Sequence, residues 1–587
     1  MTNIFLNSDI FRYINQYINL QSLCDTCLFL LKLKKYINYK LNRQYSIMYY
    51  DNDSFRNIIL NKIFNPHKQL QLNLSYCHNI TNLSILNNIH TIDLSYCNNI
   101  TDVHALTNVY NLNLSHCNNI TDVSYLGNVY SLNLSFCNNI TDVHALTNVY
   151  NLNLSHCNNI KNVSALKNVK ILNLSYCNNI TDVSMLGNAY TLNVCRCKNI
   201  TDISMLGNIY ELDLSYCNFI TDVSVLRNVH SLILRGCNNI TDVSSLGNVH
   251  TLDLSYCNKI TDISALGNVY NLYLRLCDNI TDVSSLTNVH ILDLRCCNKI
   301  TDVSGLINVY NLNLSFCDKI TDVSYLKNVH TLNLFGCNKI TNVSGLNSVY
   351  NLYLSTCTNI TDVSNLGNVH TVNLSYCNII DVSALGNIYN LNLSHCDKIT
   401  NVSALGYVHT LDLSHCKNIT DVSELSNVHT LILRYCINIT NVSTLGNIYN
   451  LNLSHCNKII DISALGNVNT LNLSFCDKIT DVSVLKNVHS LNLSNCNKIT
   501  DISNLGNVHT LNLSYCHNIT NVSALGNVYS LNLSYCHNIT DVSYLGNLNT
   551  LNLSGCNKIT DVSVLGKVNN LNLSYCKNIT ILLKKYY

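Results

Sequence analysis

The chain has 587 residues with 35 basic and 34 acidic side chains, a net charge near +1, so no charge excess points to nucleic acid or an anionic membrane. Residues 1–70 hold nine Lys or Arg against four Asp, about +5, which leaves about −4 for the rest; neither end is a charged tail. The longest apolar block near the start, Cys27–Leu31, is far too short to span a bilayer, and no basic stretch leads into an apolar run as in a secretion signal.

In chain order, Ser8-Asp9 offers a helix N-cap, and Ile10, Ile14, Tyr17 and Ile18 follow at helical spacing. A second apolar-periodic stretch runs through Leu20, Leu23, Cys27, Leu30 and Leu31, and a third helix is expected from about Ser54. The expected organisation is a small helical domain over 1–50, a connector and N-terminal cap over 51–70, a repeat array over 71–580 and a tail over 581–587.

The array repeats one 20-residue unit 26 times. Residues 109–128 represent it, with apolar side chains at Val109, Leu112, Leu114, Cys117, Ile120, Val123 and Leu126. The spacing of two between Leu112 and Leu114 predicts a strand with one buried face; the spacing of three that follows predicts a chain that turns and returns. No single coil can bury its apolar edge alone, so the coils must stack, Leu on Leu and Cys on Cys. The unit containing Val372 reads Cys377-Asn378-Ile379-Ile380-Asp381 and is one residue short. The loss falls in a turn, where the register of the next strand at Leu391 is expected to recover.

Of 30 cysteines, 26 occupy one slot from Cys77 to Cys576, and Cys24, Cys27, Cys195 and Cys296 lie outside it. One thiol per coil in a fixed place predicts a buried, reduced column and not a disulfide framework. Asn-Leu-Ser, Asn-Ile-Thr and Asn-Val-Ser recur in nearly every unit, and glycans on them in a secretory pathway would crowd both faces. A cytoplasmic location is therefore expected.

The pattern Leu-x-x-Leu-x-Leu-x-x-Cys-x-x-Ile resembles the leucine-rich-repeat signature, and the Cys with the following Ile-Thr-Asp is similar to its cysteine-containing subfamily. Units here are some six residues shorter than is usual there and leave no room for a helix on the convex side. The resemblance thus implies an α/β solenoid with one parallel concave sheet and short 3-10 or extended convex turns, preceded by a small all-α domain.

Residues 6–36 resemble an F-box, with Leu6 as its opening Leu, Asp9-Ile10 as its acidic-aliphatic pair, then Ile14 and Tyr17-Ile18, and with Leu23 and Cys27 on the later helix. Asn7 stands where the box has Pro, and its late Trp is missing. A helical N-terminus joined to such an array is the layout of F-box/leucine-rich-repeat proteins. The resemblance implies that Leu6, Ile10, Ile14, Tyr17 and Ile18 contact a Skp-type adaptor and through it a cullin. The repeats would then hold a protein substrate for an SCF-type cullin-RING ubiquitin ligase. The alternative is a cytosolic leucine-rich-repeat scaffold or decoy with no ligase role; an extracellular receptor is disfavoured by the sequons. Abundant Asn, Ile, Tyr and Lys, with one Pro and no Trp, reads as AT-rich coding of the kind found in large DNA viruses of amoebae, for which the location becomes the host cytosol.

Ser, His and Asp recur in most coils, so a catalytic triad could be drawn anywhere, and a near-identical surface offers no asymmetric site. No enzyme activity, cofactor or metal centre is expected, the lone Cys24-x-x-Cys27 pair reading as helix core. A column of His90, Tyr110, Tyr130, Tyr150 and onward just before each strand reads as a ladder of stacked rings. The three outward strand positions are mostly Asn or Thr, then Asn or Asp, then Ser. Breaks in that background mark where a partner is read, densest at Ile233, Arg235, Tyr273, Arg275 and Arg295, with a smaller one at Ile432, Arg434 and Tyr435. The competing account is that Asp213, Asp253 and Asp293 neutralise those arginines within the array.

Overall fold

The computed structural model describes residues 38–580 apart from Phe64 and Asn88; the F-box-like positions Leu6, Ile10, Ile14, Tyr17 and Ile18 and the tail 581–587 lie outside the described residues. The chain divides into two compact units, the first ending at Leu292 and the second beginning at Asp293.

The first unit opens with β1 (Tyr39–Lys40), α1 (Arg43–Asp51), α2 (Asp53–Lys62) and α3 (Pro66–Gln69). Asn42 and Asn52 cap α1 and α2 by accepting from the Tyr45 and Phe55 N–H groups. The repeats follow from β2 (Leu70–Asn73) and β3 (Thr91–Asp93) through to β12 (Asn271–Tyr273), one strand per coil, all parallel and in register. Leu112 pairs with Ile92 on one side and Leu132 on the other. The helix expected near Ser54 is α2.

β1 and α1 cover the open end of the first coil. β1 pairs with β2, the Arg43 Nε donates to the Ser75 carbonyl at 2.8 Å, the Asn73 N–H to Ser46 Oγ at 2.9 Å and the Tyr50 hydroxyl to the Asn82 carbonyl at 2.9 Å. An edge that would otherwise present unpaired backbone and apolar core is thereby satisfied. Tyr49 is buried against it, which pushes its phenol up to about 12.

β13 (Ile291–Asp293) straddles the division, and the second unit carries β14 (Asn311–Asn313) to β27 (Asn570–Asn572), again one parallel strand per coil. The shortened unit behaves as expected: Val372 pairs with Leu391 and Leu391 with Leu411, so the missing residue is absorbed before the next strand.

Each coil turns by local chemistry. The Asn113 Oδ1 accepts from the Ser115 N–H at 3.1 Å, an Asx turn that ends the strand. His116 then adopts φ 61°, and the Cys117 N–H closes onto the Leu114 carbonyl. Asp122 repeats the device on the Ser124 N–H at 2.8 Å and opens the 3-10 turn Ser124–Leu126. Such 3-10 turns recur through most coils, as the 20-residue length requires. The seven apolar positions of the type coil are at most 3% exposed, each contributing about 1.5–3 kcal/mol by burial.

Candidate protein-binding surface

The strand face of each coil is three residues wide and bounded by two columns of rings. On the entry side, rings at the position of Tyr110 stack with centroids 4.9 Å apart for His90–Tyr110, 4.5 Å for Tyr110–Tyr130 and 4.8 Å for Tyr130–Tyr150. This is the ladder expected from the sequence. Lys170, Asn469, Asn549 and Asn569 interrupt it.

A second ladder on the exit side was not anticipated. It occupies the residue before each core Cys and runs through Tyr76, Tyr96, His116, Phe136, His156 and Tyr176 at 4.1–4.4 Å, and through Tyr376, His395, His415, Tyr435, His455 and Phe475 at 3.9–4.4 Å. Every one of these residues has positive φ, between 58° and 67° for the non-glycines. That conformation costs an L-residue on the order of 1 kcal/mol. Stacking and the N–H bond to the next coil, such as His116 to the Ser135 carbonyl, offset it. The signal in the sequence was the recurrence of Tyr, His or Phe before Cys. Gly236, Gly336 and Gly555 break the column, and there the preceding ring, Tyr216, Phe316 or Tyr535, lies over the glycine so closely that a Cβ would collide with it. Arg196 substitutes for a ring, its guanidinium 4.2 Å from the Tyr216 centroid and 5.4 Å from that of Tyr176.

Between the ladders, Asn and Asp at the middle position are tied to the following N–H, as in Asn133 to Ser135 and Asp213 to Ser215. Their abundance therefore reflects how the coil turns. The first position bonds along the sheet, as in Asn111 Nδ2 to Thr91 Oγ1 at 3.2 Å.

Behind the face, the core thiols point inward. In nearly every coil after the first the Sγ donates to a leucine or valine carbonyl of the preceding coil, Cys117 to Leu94 and Cys137 to Leu114, both at 3.2 Å, whereas Cys77 turns to the Ser75 carbonyl of its own coil. Burial pushes the Cys137 and Cys177 thiols up to about 12, so they are protonated and inert near neutrality. No disulfide joins any of the described cysteines, and Cys195 and Cys296 lie half-buried outside the column.

The predicted patch is divided. In the first unit, Ile233 ends its strand and Arg235 follows it, with Arg235 Nη2 2.6 Å from the Oδ2 of Asp253, a carboxylate with a 10% exposed side chain. Tyr273 ends β12. The Arg275 guanidinium lies 5.8 Å from the Tyr256 ring, and its buried Nε has no hydrogen-bond partner among the described residues. In the second unit, Arg295 forks onto Asp293, with Nε at 2.9 Å from both oxygens and Nη2 at 2.5 Å from Oδ2. Two of the three arginines are thus held by carboxylates of the array, and Arg275 lies against a ring instead. The smaller break places the Arg434 guanidinium 5.1 Å from the Tyr435 ring.

Among the described residues, no group of three or more His, Cys, Asp or Glu is arranged to hold a metal ion, and no helix is long and apolar enough to cross a membrane.

The family model described as Leucine Rich repeat matches residues 165–186, 285–306 and 547–565. No curated protein matches the chain. Among solved structures, an internalin from Listeria monocytogenes is similar at 22% identity, covering 58% of this chain and 84% of its own, with a TM-score of 0.28. The functional domain of InlJ from the same organism, described as including a cysteine ladder, is similar at 23% identity, covering 53% and 70%, with a TM-score of 0.36. The parallel one-strand coils, the 3-10 turns and the matched segments make the fold a leucine-rich-repeat solenoid.

Proposed function

We propose that the chain is a protein-binding scaffold that offers its strand face to a partner, and that it serves as the substrate-recognition subunit of an SCF-type ubiquitin ligase. The observation that carries the scaffold reading is the face itself. It is a mostly uncharged surface of parallel strands, broken at Arg275 by a guanidinium beside the Tyr256 ring. The face and not a pocket is what binds, so an acidic or phosphorylated protein segment is the fitting substrate. The ligase role rests on the F-box-like run 6–36 alone. The buried thiol column without disulfides supports a reducing compartment such as the cytosol as the proposed location.

Affinity capture of the full-length chain from cell lysate tests the ligase role, with Ile14→Asp as the matched variant. A Skp-type adaptor and a cullin should be captured by the unaltered chain and lost from the variant. Absence of both from the unaltered chain, or their retention by the variant, leaves the scaffold without a ligase.

A further inference from the structure

We propose that the strand face between Thr91 and Asn193 is a second binding site, for a proline-rich segment in the polyproline II conformation. The site is separate from Arg275 and does not depend on the ligase role.

A trough of about 580 Å³ runs along this stretch, lined by strand residues of six successive coils, from Thr91, Asp93 and Asn113 to Ile171, Thr191 and Asn193. Asp93 is the only charged lining residue, and its Oδ1 already accepts from Asn113 Nδ2 at 3.0 Å. Along the floor, the Oδ1 atoms of Asn133, Asn153 and Asn173 accept from Ser135, Ser155 and Ser175 at 2.9–3.0 Å, and that of Asn193 from Cys195 at 2.8 Å. Because only an oxygen can accept those N–H groups, each amide is fixed in one orientation. Its Nδ2 meets no acceptor among the described residues and is left facing the trough. Four amide donors therefore stand in a row at the strand spacing of about 4.8 Å, and they call for a partner rich in acceptors.

The walls make the same demand. Rings stack without a break along the first four coils on the entry side, His90 to Tyr150, and from Tyr76 to Tyr176 on the exit side, with Lys170 and Arg196 taking ring places only at the far end of the trough. Each ring's faces are covered by its neighbours, so the ridges present ring edges, the positive end of the aromatic quadrupole. Carbonyl oxygens suit such edges; a sugar ring, which stacks on an open aromatic face, does not. In the second unit, Asn472 to Asn552 form a similar row, but Asn469, Asn549, Asn495 and Gly555 interrupt both ridges beside it.

A proline-rich segment offers carbonyl acceptors and no N–H groups to be left unsatisfied against a floor of donors. Its repeat also fits: one turn of polyproline II advances about 9.3 Å, against about 9.6 Å for two strands. The six coils span about 24 Å, the length of roughly eight such residues. Docking of a preformed extended helix in an aromatic-walled groove also limits the ordering cost.

The experiment measures binding of fluorescently labelled decaproline to the full-length chain by anisotropy, with a Gly-Ser decapeptide as control. The test variant is Asn153→Asp with Asn173→Asp, which replaces donors by acceptors. Asp fills the same place at Asp213 and Asp253 and keeps the turn bond at 2.9 and 2.8 Å, so the fold should persist; Asn153→Asp alone is the milder second variant. Decaproline should bind the unaltered chain and bind the double variant at least about tenfold more weakly, while Arg275→Ser and the second-unit pair Asn492→Asp with Asn512→Asp leave it unchanged. No binding to the unaltered chain, equal binding to the Gly-Ser peptide, or no loss in the folded double variant overturns the proposal. Preferential binding of a neutral oligosaccharide, lost in the double variant, overturns it in favour of a glycan.

Discussion

Raising the pH should unravel the array through its thiol column. Burial is the main cause that pushes Cys117, Cys137, Cys177 and Cys197 up to about 12, with neighbouring thiols adding to the shift at Cys117 and Cys197. In the unfolded chain a thiol ionises near 8.5. A folded pKa raised above the unfolded one means that the folded state keeps the proton longer. The contribution is therefore complete below about 8.5 and is lost as pH rises toward about 12. At pH 10 the loss is about 2 kcal/mol per thiol, so five successive coils lose on the order of 10 kcal/mol, comparable with the whole stability of a small domain. The measurement is the pH dependence of urea unfolding between pH 8.5 and 10.5 in reductant, for the unaltered chain and for a variant with Ala at Cys117, Cys137, Cys157, Cys177 and Cys197. All other side chains are common to both proteins, so the difference isolates the thiols. The variant, though less stable at pH 7, should release about five fewer protons on unfolding near pH 10. Equal pH slopes would show that those thiols ionise as easily folded as unfolded, and the argument from burial would fail.

Three further outcomes follow from pairing and stacking. Arg235→Ser should cost about 1–2 kcal/mol, because it leaves the nearly buried Asp253 without its partner. Arg275→Ser should change the unfolding free energy by less than about 0.5 kcal/mol yet weaken capture of a partner on this face; the reverse pattern would make Arg275 structural. Burial, then His395 and Arg434, lower the pKa of His415, and burial followed by Arg434 lowers that of His455, with Asp397 and Asp477 opposing. A lowered folded pKa places their contribution above the ordinary histidine value of about 6.5 and removes it as pH falls. The thermal midpoint should drop between pH 7 and 5, and drop less in His415→Phe, a ring that Phe475 already carries in the same conformation. An identical drop in the variant would place the acid sensitivity elsewhere.

The coil was legible because its physics is periodic: the change of spacing after Leu114 marks the end of the strand, and twenty residues leave room only for a 3-10 turn. The exit-side ladder escaped notice because a residue between Ser and the core Cys reads as a loop position. Nothing in its identity announces a left-handed backbone, which tyrosine and histidine adopt only when stacking and a bond to the next coil hold them there. The arginine patch was legible as a departure from the background, and its neutralisation by Asp253 and Asp293 as the competing account, but which arginine is held and which is not could not be read. Whether Asp253 meets Arg235 or stays free depends on side-chain reach across one strand spacing. In an array of near-identical coils, two kinds of place can carry specificity. One is a substitution such as Arg275 that sets a cation beside an aromatic ring. The other is a run of coils with few substitutions, where the row of Asn133, Asn153, Asn173 and Asn193 amides continues long enough to match an extended partner. For the second kind, regularity itself is the recognition element, and scanning for unusual residues passes over it.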